Sequence, residues 1–195
     1  MGRLVPLRPL AGSPAELSDE ALLAACGTGD RAALGGLYDR FHIAVYRFVS
    51  RIPSVDPHLR DDIVQATFLE LPRSAAKFRG SAAVKTWILG IAGNIARQHV
   101  RSEYRRSKQQ DNFARSPAIP PEQPDTTAQR SELVRRIAAA LETIPHDQQV
   151  AFILCDLEQL PPGDVARALE IPEGTLWRRL HFARKALREA LGSPQ

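Results

Sequence analysis

The segment from residue 61 to residue 101 constrains the fold of this chain most strongly, because it combines a helical stripe with a basic surface. Its apolar residues recur at the spacing of one helical face, at Val84, Trp87, Ile88, Ile91 and Ile95. Such a stripe predicts a helix that buries one side. The other faces carry one amide and three basic side chains, which are Lys85, Asn94, Arg97 and Arg101. Cationic and amide groups on one helix suit a nucleic-acid strand better than a small molecule.

Basic charge is concentrated in two segments, although the formal net charge is only +4. Residues 97–108 hold five Arg or Lys and one acid, and residues 175–188 hold five Arg or Lys and no acid. Two separate basic patches predict two contacts with a polyanion. The alternative is that both patches are solvated helix faces.

Several other kinds of protein are excluded by composition. The two cysteines, Cys26 and Cys155, lie far apart, which argues against a disulfide framework and fits a reducing cytosol. Three prolines interrupt residues 1–14, so the signal-peptide pattern is missing, and no apolar run approaches membrane-spanning length. We therefore expect a cytoplasmic protein that does not insert into a membrane.

Sequence motifs typical of catalytic or metal-binding sites are also missing. The five histidines show no metal-ligand spacing with one another or with a cysteine. No Ser/His/Asp arrangement, paired carboxylates or glycine-rich phosphate loop can be identified. We expect no catalytic residues, no metal site and no cofactor.

Helix-start signals predict four helices in the first half of the chain. Ser18 and Asp30 stand where N-caps are expected, ahead of a first helix and a longer second one. A third helix begins near Asp61, and Pro72 is expected to kink or end it. The stripe around Trp87 forms the fourth.

The predicted fold is all-α, with two small helical domains joined by a flexible linker. A disordered tail over residues 1–15 precedes a helical domain over residues 16–104. Residues 105–129 are rich in proline and polar side chains and cannot bury enough apolar surface to fold alone, so they form the linker. Residues 130–192 form the second domain.

The second domain ends in a predicted helix-turn-helix. Pro162 suits the first turn of a short helix, and Thr175 is expected to cap the next one. That last helix buries a stripe of apolar residues, which are Leu176, Leu180, Ala183, Leu187 and Leu191. A short helix, a tight turn and a basic second helix are typical of a recognition helix that enters the major groove.

A series of short motifs runs through both predicted domains. In the first domain they are Asp62-Ile63-Val64-Gln65, Thr67-Phe68-Leu69, Lys77-Phe78-Arg79-Gly80, Trp87-Ile88, Ile91-Ala92, Asn94 and Arg101. In the second they are Leu141, Ile144-Pro145, Asp147-Gln148-Gln149, Asp164-Val165-Ala166, Ile171-Pro172, Gly174-Thr175, Leu180-His181 and Ala183-Arg184-Lys185-Ala186-Leu187. The order and identity of these motifs resemble the extracytoplasmic-function (ECF) sigma factors, the minimal two-domain class of bacterial RNA polymerase sigma subunits. Helix-turn-helix segments are common, but the ordered pair of blocks is specific.

The resemblance implies that the first domain acts as sigma region 2, which grips the beta-prime clamp of core RNA polymerase and melts the minus-ten element. The implied polymerase-binding residues are Asp61, Asp62, Gln65, Phe68 and Leu69. The implied minus-ten residues are Lys77, Phe78, Arg79, Gly80, Ser81, Lys85, Asn94, Arg97 and Arg101.

The second domain resembles sigma region 4, which holds the beta flap and reads the minus-thirty-five element as duplex. The implied reading residues are Thr175, Trp177, Arg178, Arg179, His181, Arg184 and Lys185. The resemblance also implies control by an anti-sigma factor, which can hold the protein at the membrane. The expected function is promoter recognition, promoter melting and transcription initiation, without enzymatic activity.

The chain departs from the family pattern at several positions. Gly90 and Gly93 replace basic or polar residues, which weakens the helix by about 1 kcal/mol each and can remove a phosphate contact. Gln98 stands where an acid is usual, and Pro72 interrupts a helix that normally continues. On the recognition helix, Leu176-Trp177-Arg178 replaces a valine, a basic residue and a small polar residue.

Some roles have competing interpretations. The aspartates at the start of the third helix can simply stabilise its N-terminus. Trp87 is expected in the core, whereas Phe78 can be a core plug or a strand contact, and Trp177 can face DNA or pack on the linker or a partner. At the level of function, the alternatives are a stand-alone helix-turn-helix regulator and a helical enzyme or adaptor that uses a groove near Trp87.

Overall fold

The structure is a computed structural model that describes residues 16–109 and 128–192. Within these ranges every regular element is a helix or a helical turn, so the all-α prediction is confirmed. The predicted N-terminal tail, residues 1–15, and residues 110–127 of the predicted linker lie outside the described residues.

Side-chain caps begin the first two helices, as the sequence predicts. The Ser18 hydroxyl accepts a backbone N–H of the first turn at 3.2 Å and begins α1 (Asp19–Gly27). The Asp30 carboxylate accepts two such N–H groups, at 2.8 and 3.2 Å, and begins α2 (Arg31–Ser50). Both caps satisfy amides that the helix itself leaves without partners.

The third helix, α3 (Arg60–Ser74), follows a 3₁₀ turn and continues into another (Ala75–Lys77). Pro72 lies inside α3, and the helix ends two residues beyond it. At this end the Ser74 hydroxyl donates to the Glu70 carbonyl at 2.8 Å. Pro72 therefore lies in the last turn and does not itself end the helix.

The fourth helix, α4 (Val84–Gln109), is the longest and carries the basic surface. It runs past residue 104, where the sequence places the end of the first domain. Its buried face differs from the predicted stripe. Ile88, Ala92 and Ala96 are buried, whereas Ile91 and Ile95 are only half-buried.

Four further helices complete the described fold: α5 (Ala128–Glu142), α6 (His146–Phe152), α7 (Pro162–Ala168) and α8 (Glu173–Leu191). A π-helical turn (Ile153–Leu157) extends α6.

The predicted helix-turn-helix is formed by α7 and α8, but its turn lies earlier than expected. Pro162 occupies the first turn of α7, as predicted. Thr175 is not a cap, because α8 begins at Glu173 and Pro172 takes the capping position with an extended ψ of 140°. The chain reverses instead at Glu170, whose φ is +55°. A residue in this left-handed region commonly ends a helix.

The helices pack as an N-terminal block (α1–α4) and a C-terminal block (α5–α8) that contact each other through α4, α6 and α7. The main apolar core is continuous across both blocks, with Phe48 and Ile88 on one side and Val150 and Leu169 on the other. A smaller cluster joins α5 to α8. The C-terminal block therefore lies directly on the basic helix.

A close approach also positions the loop before α4. A Cβ atom at Gly27, the last residue of α1, would lie 2.8 Å from the Cβ atom of Ala75. Only glycine allows the two backbones to come so near. The end of α1 thus packs against the turn that follows α3.

In the described ranges, none of the helices combines the length and apolar character needed to cross a bilayer.

Candidate nucleic-acid interface

The five residues expected to bind polymerase lie on α3 and differ in exposure. The exposed ones are Asp61, Asp62, Gln65 and Leu69. Leu69 is 61% exposed, which is unusual for a leucine. Phe68 is only 5% exposed and packs edge-on against Tyr38, with ring centroids 4.9 Å apart. Phe68 therefore supports this surface from the core.

A groove between α2 and α3, called here the α2–α3 groove, brings four of these five residues together. Asp61, Gln65, Phe68 and Leu69 form its α3 wall. Its α2 wall includes Leu34, Tyr38 and Asp39. Tyr38 is 44% exposed and stacks on His42 with ring centroids 4.8 Å apart. Sequence analysis did not single out Tyr38, although its position beside Leu37 on the apolar stripe of α2 marks an edge residue.

The loop between α3 and α4 holds its basic residues outward and its aromatic residue inward. Phe78 is half-buried and packs edge-on against Trp87, with ring centroids 5.4 Å apart. This contact favours the core-plug interpretation of Phe78, and Trp87 is buried as predicted. Gly80 has a φ of +68°, a conformation that other residues rarely adopt. The neighbouring candidates Lys77, Arg79 and Ser81 are exposed.

On α4, the predicted strand-binding amide and guanidinium groups contact each other. Arg97 Nη2 donates to Asn94 Oδ1 at 3.1 Å. Asn94, Lys77 and Trp87 line a cleft between α3 and α4, called here the α3–α4 cleft. The cleft is also lined by Ala168 and Glu170 of the C-terminal block. Arg79, Lys85, Arg97 and Arg101 are not among its lining residues.

Acidic groups of the C-terminal block pair with basic groups of the N-terminal block. Asp147 on α6 lies 3.7 Å from Arg97, measured from Oδ1 to Nη1. Glu158 pairs with Arg51 and lies 3.8 Å from the ammonium nitrogen of Lys85. Two of the predicted minus-ten cations therefore have an acidic partner within the chain.

The two glycines of α4 mark where the blocks touch. A Cβ atom at Gly90 would lie 2.4 Å from the backbone oxygen of Ala168, and one at Gly93 would lie 3.1 Å from Val150 Cγ1. From the sequence, each glycine is expected to replace a side chain that contacts phosphate. In the structure both face protein, so a side chain there would meet the C-terminal block before it met DNA.

Polar contacts strengthen this junction at the start of α6. The Ser54 hydroxyl and His146 Nδ1 are hydrogen-bonded at 2.7 Å, and burial lowers the pKa of His146. The buried Gln149 amide donates to the carbonyls of Leu141 and Ile144, both at 3.0 Å, and its oxygen accepts the Ser54 N–H at 3.2 Å. The Gln149 amide thus hydrogen-bonds to two carbonyls at the end of α5 and to a backbone N–H of the N-terminal block.

The candidates on α8 fall into two groups. The exposed side chains are Trp177, Arg178, His181, Arg184 and Lys185. Arg184 is nevertheless held by Asp156, through contacts of 2.9 and 2.6 Å, and this hydrogen-bonded pairing raises the pKa of Arg184. The side chain of Arg179 is only 18% exposed and contacts Asp147 at 2.8 Å. Thr175 is half-buried.

Trp177 has a polar partner within α8. Its indole N–H donates to Glu173 Oε1 at 3.2 Å, and the side chain is 46% exposed. This contact fixes the ring beside Arg178 on the solvent side of the helix.

Among the residues that the structure describes, no group of three or more His, Cys, Asp or Glu could hold a metal ion.

Two family matches cover the two blocks. Residues 37–106 match the family described as Sigma-70 region 2, and residues 134–187 match the one described as Sigma-70, region 4. Two relatives, from Salmonella typhimurium (strain LT2) and Escherichia coli (strain K12), are both called ECF RNA polymerase sigma-E factor. Each is 30% identical over 181 residues, which is 88% of this chain and 93% of the relative.

Solved structures show the same fold. The sigma factor RpoE from Bartonella quintana, in complex with the anti-sigma factor NepR, has a TM-score of 0.64 at 24% identity and covers 81% of this chain and 96% of its own. CnrH, in complex with the cytosolic domain of CnrY, has a TM-score of 0.62 at 21% identity, covering 91% and 99%.

Proposed function

Because this chain belongs to the extracytoplasmic-function sigma factors of RNA polymerase, we propose that its two blocks contact different parts of one initiation complex. Members of this family are initiation subunits and not enzymes, and they direct core polymerase to promoters. The observation that carries the proposal is the match of region 2 to the helices from α2 to α4 and of region 4 to α5–α8.

The α2–α3 groove is proposed to bind the beta-prime clamp of core polymerase. Its exposed apolar groups, Leu69 and Tyr38, lie beside the carboxylates of Asp39 and Asp61. Apart from Arg31, the charged side chains that line the groove are acidic, and apolar contacts beside acidic groups suit a partner with apolar anchors and a basic rim. Asp62 and Gln65 extend this surface along α3.

The face formed by the α3–α4 cleft and the loop before α4 is proposed to hold the melted minus-ten strand. Asn94 supplies amide groups that can recognise an unstacked base, and Lys77 supplies positive charge in the cleft. Arg97 lies outside the cleft lining but donates to Asn94, and its proposed role is to hold the backbone of that strand beside the cleft. Trp87 is buried, so its proposed role is to support the cleft wall.

The exposed side of α8 is proposed to read the minus-thirty-five element in the major groove. Arg178 and His181 project from this side, with Trp177 beside them. Arg179 and Arg184 are paired with Asp147 and Asp156, so their proposed role is to orient α8 or to contact phosphate after these pairs open.

Control by an anti-sigma factor is proposed on the same basis. One of the solved structures compared above, the sigma factor RpoE from Bartonella quintana, is bound to an anti-sigma factor. We propose a cytoplasmic location, where core polymerase acts, with retention at the membrane through such a partner.

The test is transcription in vitro with bacterial core polymerase. The full chain should confer initiation at specific promoters that core polymerase alone does not use. Specific duplex binding by the chain alone, without any gain in initiation by core polymerase, would favour the stand-alone regulator and contradict the proposal.

A further inference from the structure

We propose that Phe182, on the exposed side of α8, is a specificity-determining residue that recognises the C5-methyl group of a thymine in the upstream promoter element. The inference rests on the proposed function, in which this side of α8 reads the minus-thirty-five element in the major groove. Phe182 is not among the reading residues that the resemblance implies, and its ring adds an apolar contact to a surface of basic groups.

Phe182 lies at the centre of the exposed side of α8. The buried stripe of this helix is formed by Leu176, Leu180, Ala183 and Leu187. At about 3.6 residues per turn, Arg178, Phe182 and Lys185 fall on the opposite side, each about one turn from the next. Together with His181 they stand at i, i+3, i+4 and i+7, a spacing at which a helix in the major groove presents side chains to the bases.

The ring of Phe182 has apolar surface that is left open to solvent. The residue is 48% exposed, although phenylalanine is more often buried. The ring contacts His181 edge-on, with ring centroids 5.7 Å apart and planes at 74°, and His181 is itself exposed. Covering the ring with an apolar group of a partner is favourable, because it removes this surface from water.

The charge around Phe182 favours DNA as the partner that covers the ring. Arg178 precedes the ring by one turn and Lys185 follows it by one turn, and both side chains are exposed. The two acidic residues of α8, Glu173 and Glu189, lie in its first and last turns. Glu189 lies 3.9 Å from the Lys185 ammonium in an exposed pair that water screens. An apolar ring between basic groups suits a base edge between phosphate backbones.

Thymine is the base whose edge matches the ring of Phe182. Of the four bases, thymine alone carries a methyl group in the major groove, and phenylalanine can make an apolar contact with it. The other bases present polar groups there, and covering these without a hydrogen bond is unfavourable. Phe182 and Arg178 are about 6 Å apart along the helix axis, and base pairs are about 3.4 Å apart. The thymine should therefore lie about two base pairs from the position that Arg178 reads.

The experiment removes the methyl group from the DNA and the ring from the protein. Upstream elements are first selected by transcription from a randomised element with the wild-type holoenzyme. Each thymine of the selected duplex is then replaced singly by deoxyuridine, which lacks only the C5-methyl group. The affinity of the holoenzyme for each duplex is measured by fluorescence anisotropy.

Three variants of the full chain are compared with the wild type. Phe182→Ala removes the ring, and Phe182→Leu keeps an apolar side chain at this position. Leu157→Ala is the matched control, because Leu157 is a 42% exposed apolar residue of the C-terminal block that lies outside α8. Circular dichroism checks that helix content is retained in all three.

The wild-type holoenzyme should bind about fourfold more weakly when one particular thymine becomes deoxyuridine, the effect expected for one methyl-sized group that loses an apolar contact. Phe182→Ala should bind the two duplexes equally, whereas Phe182→Leu should keep part of the difference and Leu157→Ala all of it. Equal weakening by deoxyuridine in the wild type and in Phe182→Ala would overturn the inference, because another side chain then contacts the methyl group. A selected element without thymine, or one at which deoxyuridine has no effect on the wild type, would also overturn it.

A further variant separates these failures from a failure of the proposed function. Arg178→Ala is assayed by the same selection from the randomised element. If Arg178→Ala changes the base preference and Phe182→Ala does not, α8 reads the element and only the role of Phe182 is wrong. If neither variant changes the preference, α8 does not read bases, and the proposed function of this helix fails together with the inference.

Discussion

Arg97 and Arg179 lie on the two basic helices, α4 and α8, and share one carboxylate. Asp147 Oδ1 lies 3.7 Å from Arg97 Nη1, and Asp147 Oδ2 lies 2.8 Å from Arg179 Nη2. One arginine of each predicted DNA-binding helix is thus held by a single acid on α6. The two basic segments, which look independent in the sequence, are linked through Asp147.

Removing this shared charge should weaken the packing of α6 against α4 and α8. Asp147→Asn should lower the free energy of unfolding by about 0.5–1 kcal/mol at low salt, because the three side chains are only partly buried and the pairs are screened by water. Thermal denaturation at low and high salt is the measurement, and the difference from wild type should shrink at high salt. Glu189→Gln, which removes an exposed pair with Lys185, is the control and should have a smaller effect. If Asp147→Asn lowers the free energy of unfolding equally at both salt concentrations, the contribution of Asp147 to stability is not electrostatic.

Adjacent residues on α3 should have separable effects on polymerase binding and stability. Leu69→Ala should weaken binding to core polymerase while changing the free energy of unfolding by less than about 0.5 kcal/mol, because the side chain is exposed. Phe68→Ala should instead lower the free energy of unfolding by about 3–5 kcal/mol, because it removes a buried ring. Asp62→Arg combined with Gln65→Ala should behave like Leu69→Ala. Normal polymerase affinity in the Leu69 variant and in the Asp62/Gln65 variant would exclude the α2–α3 groove as the clamp site.

Promoter melting should depend on the linked pair of side chains on α4. Asn94→Ala and Arg97→Ala should reduce open-complex formation more than initial closed-complex binding, because the proposed contacts of these groups with the strand form only after it is unpaired. Permanganate reactivity of thymines measures melting, and a gel-shift assay of holoenzyme on duplex promoter measures initial binding. Wild-type thymine reactivity in both variants would show that this face does not stabilise the melted region.

The exposed side of α8 should separate base recognition from phosphate contact. Arg178→Ala should relax promoter choice at one or two upstream positions, because arginine can make a bidentate contact with guanine worth about 1–3 kcal/mol. Lys185→Ala should weaken binding to all promoter sequences alike. It should also make the binding constant less dependent on salt, by the amount expected for the loss of about one phosphate contact. Trp177→Lys should shift the preference without abolishing activity. Transcription from a randomised upstream element measures all three, and an unchanged preference in the Arg178 and Trp177 variants would mean that α8 does not read bases.

The stability of the chain should depend on pH through His146. Burial lowers the pKa of its imidazole from the ordinary value of 6.5, and the charges of Arg97 and Arg101 act in the same direction. The Gly93 carbonyl and Asp147 oppose this shift. Because the imidazole stays neutral in the folded chain below pH 6.5, the unfolded chain binds more protons there. The free energy of unfolding should therefore fall as pH decreases from about 6.5 to the lowered pKa, and level off below it.

Urea denaturation at a series of pH values tests this dependence. His146→Gln should remove the contribution of residue 146 to the slope below about pH 6.5, because glutamine does not titrate. His58→Gln, at an exposed position of the turn before α3, is the control and should keep the wild-type slope. Equal slopes in wild type and the His146 variant would contradict the assigned role of this imidazole.

Local signals predicted much of the fold, and contacts distant in sequence account for what was missed. The caps at Ser18 and Asp30 depend on residues within one helical turn, so they are visible in the sequence. The capping position of α8 was misplaced because Thr175 has the right chemistry, whereas Pro172 has the extended backbone that precedes the helix. The apolar stripe of α8 was predicted almost completely, since Leu176 and its partners at helical spacing are buried.

The glycines of α4 show most clearly what a single sequence cannot reveal. Gly90 looked like a lost contact because its partner, Ala168, is 78 residues away and has no periodic relation to it. The half-burial of Ile91 and Ile95 follows from the same packing, because α4 turns its small residues toward the C-terminal block and leaves these isoleucines at the cleft. The pairing of Glu158 with Arg51 and Lys85 is equally distant in sequence.

Under the proposed function, the close approach of Gly27 to Ala75 gives α1 an indirect part in promoter melting. The loop that carries Lys77 and Gly80 begins at the turn against which α1 is packed, so α1 acts as a brace that sets where this loop starts. A larger side chain at residue 27 would push that starting point away from α1. Although α1 has no candidate contact to DNA or polymerase, its packing thereby influences where the loop before α4 places its candidate DNA contacts.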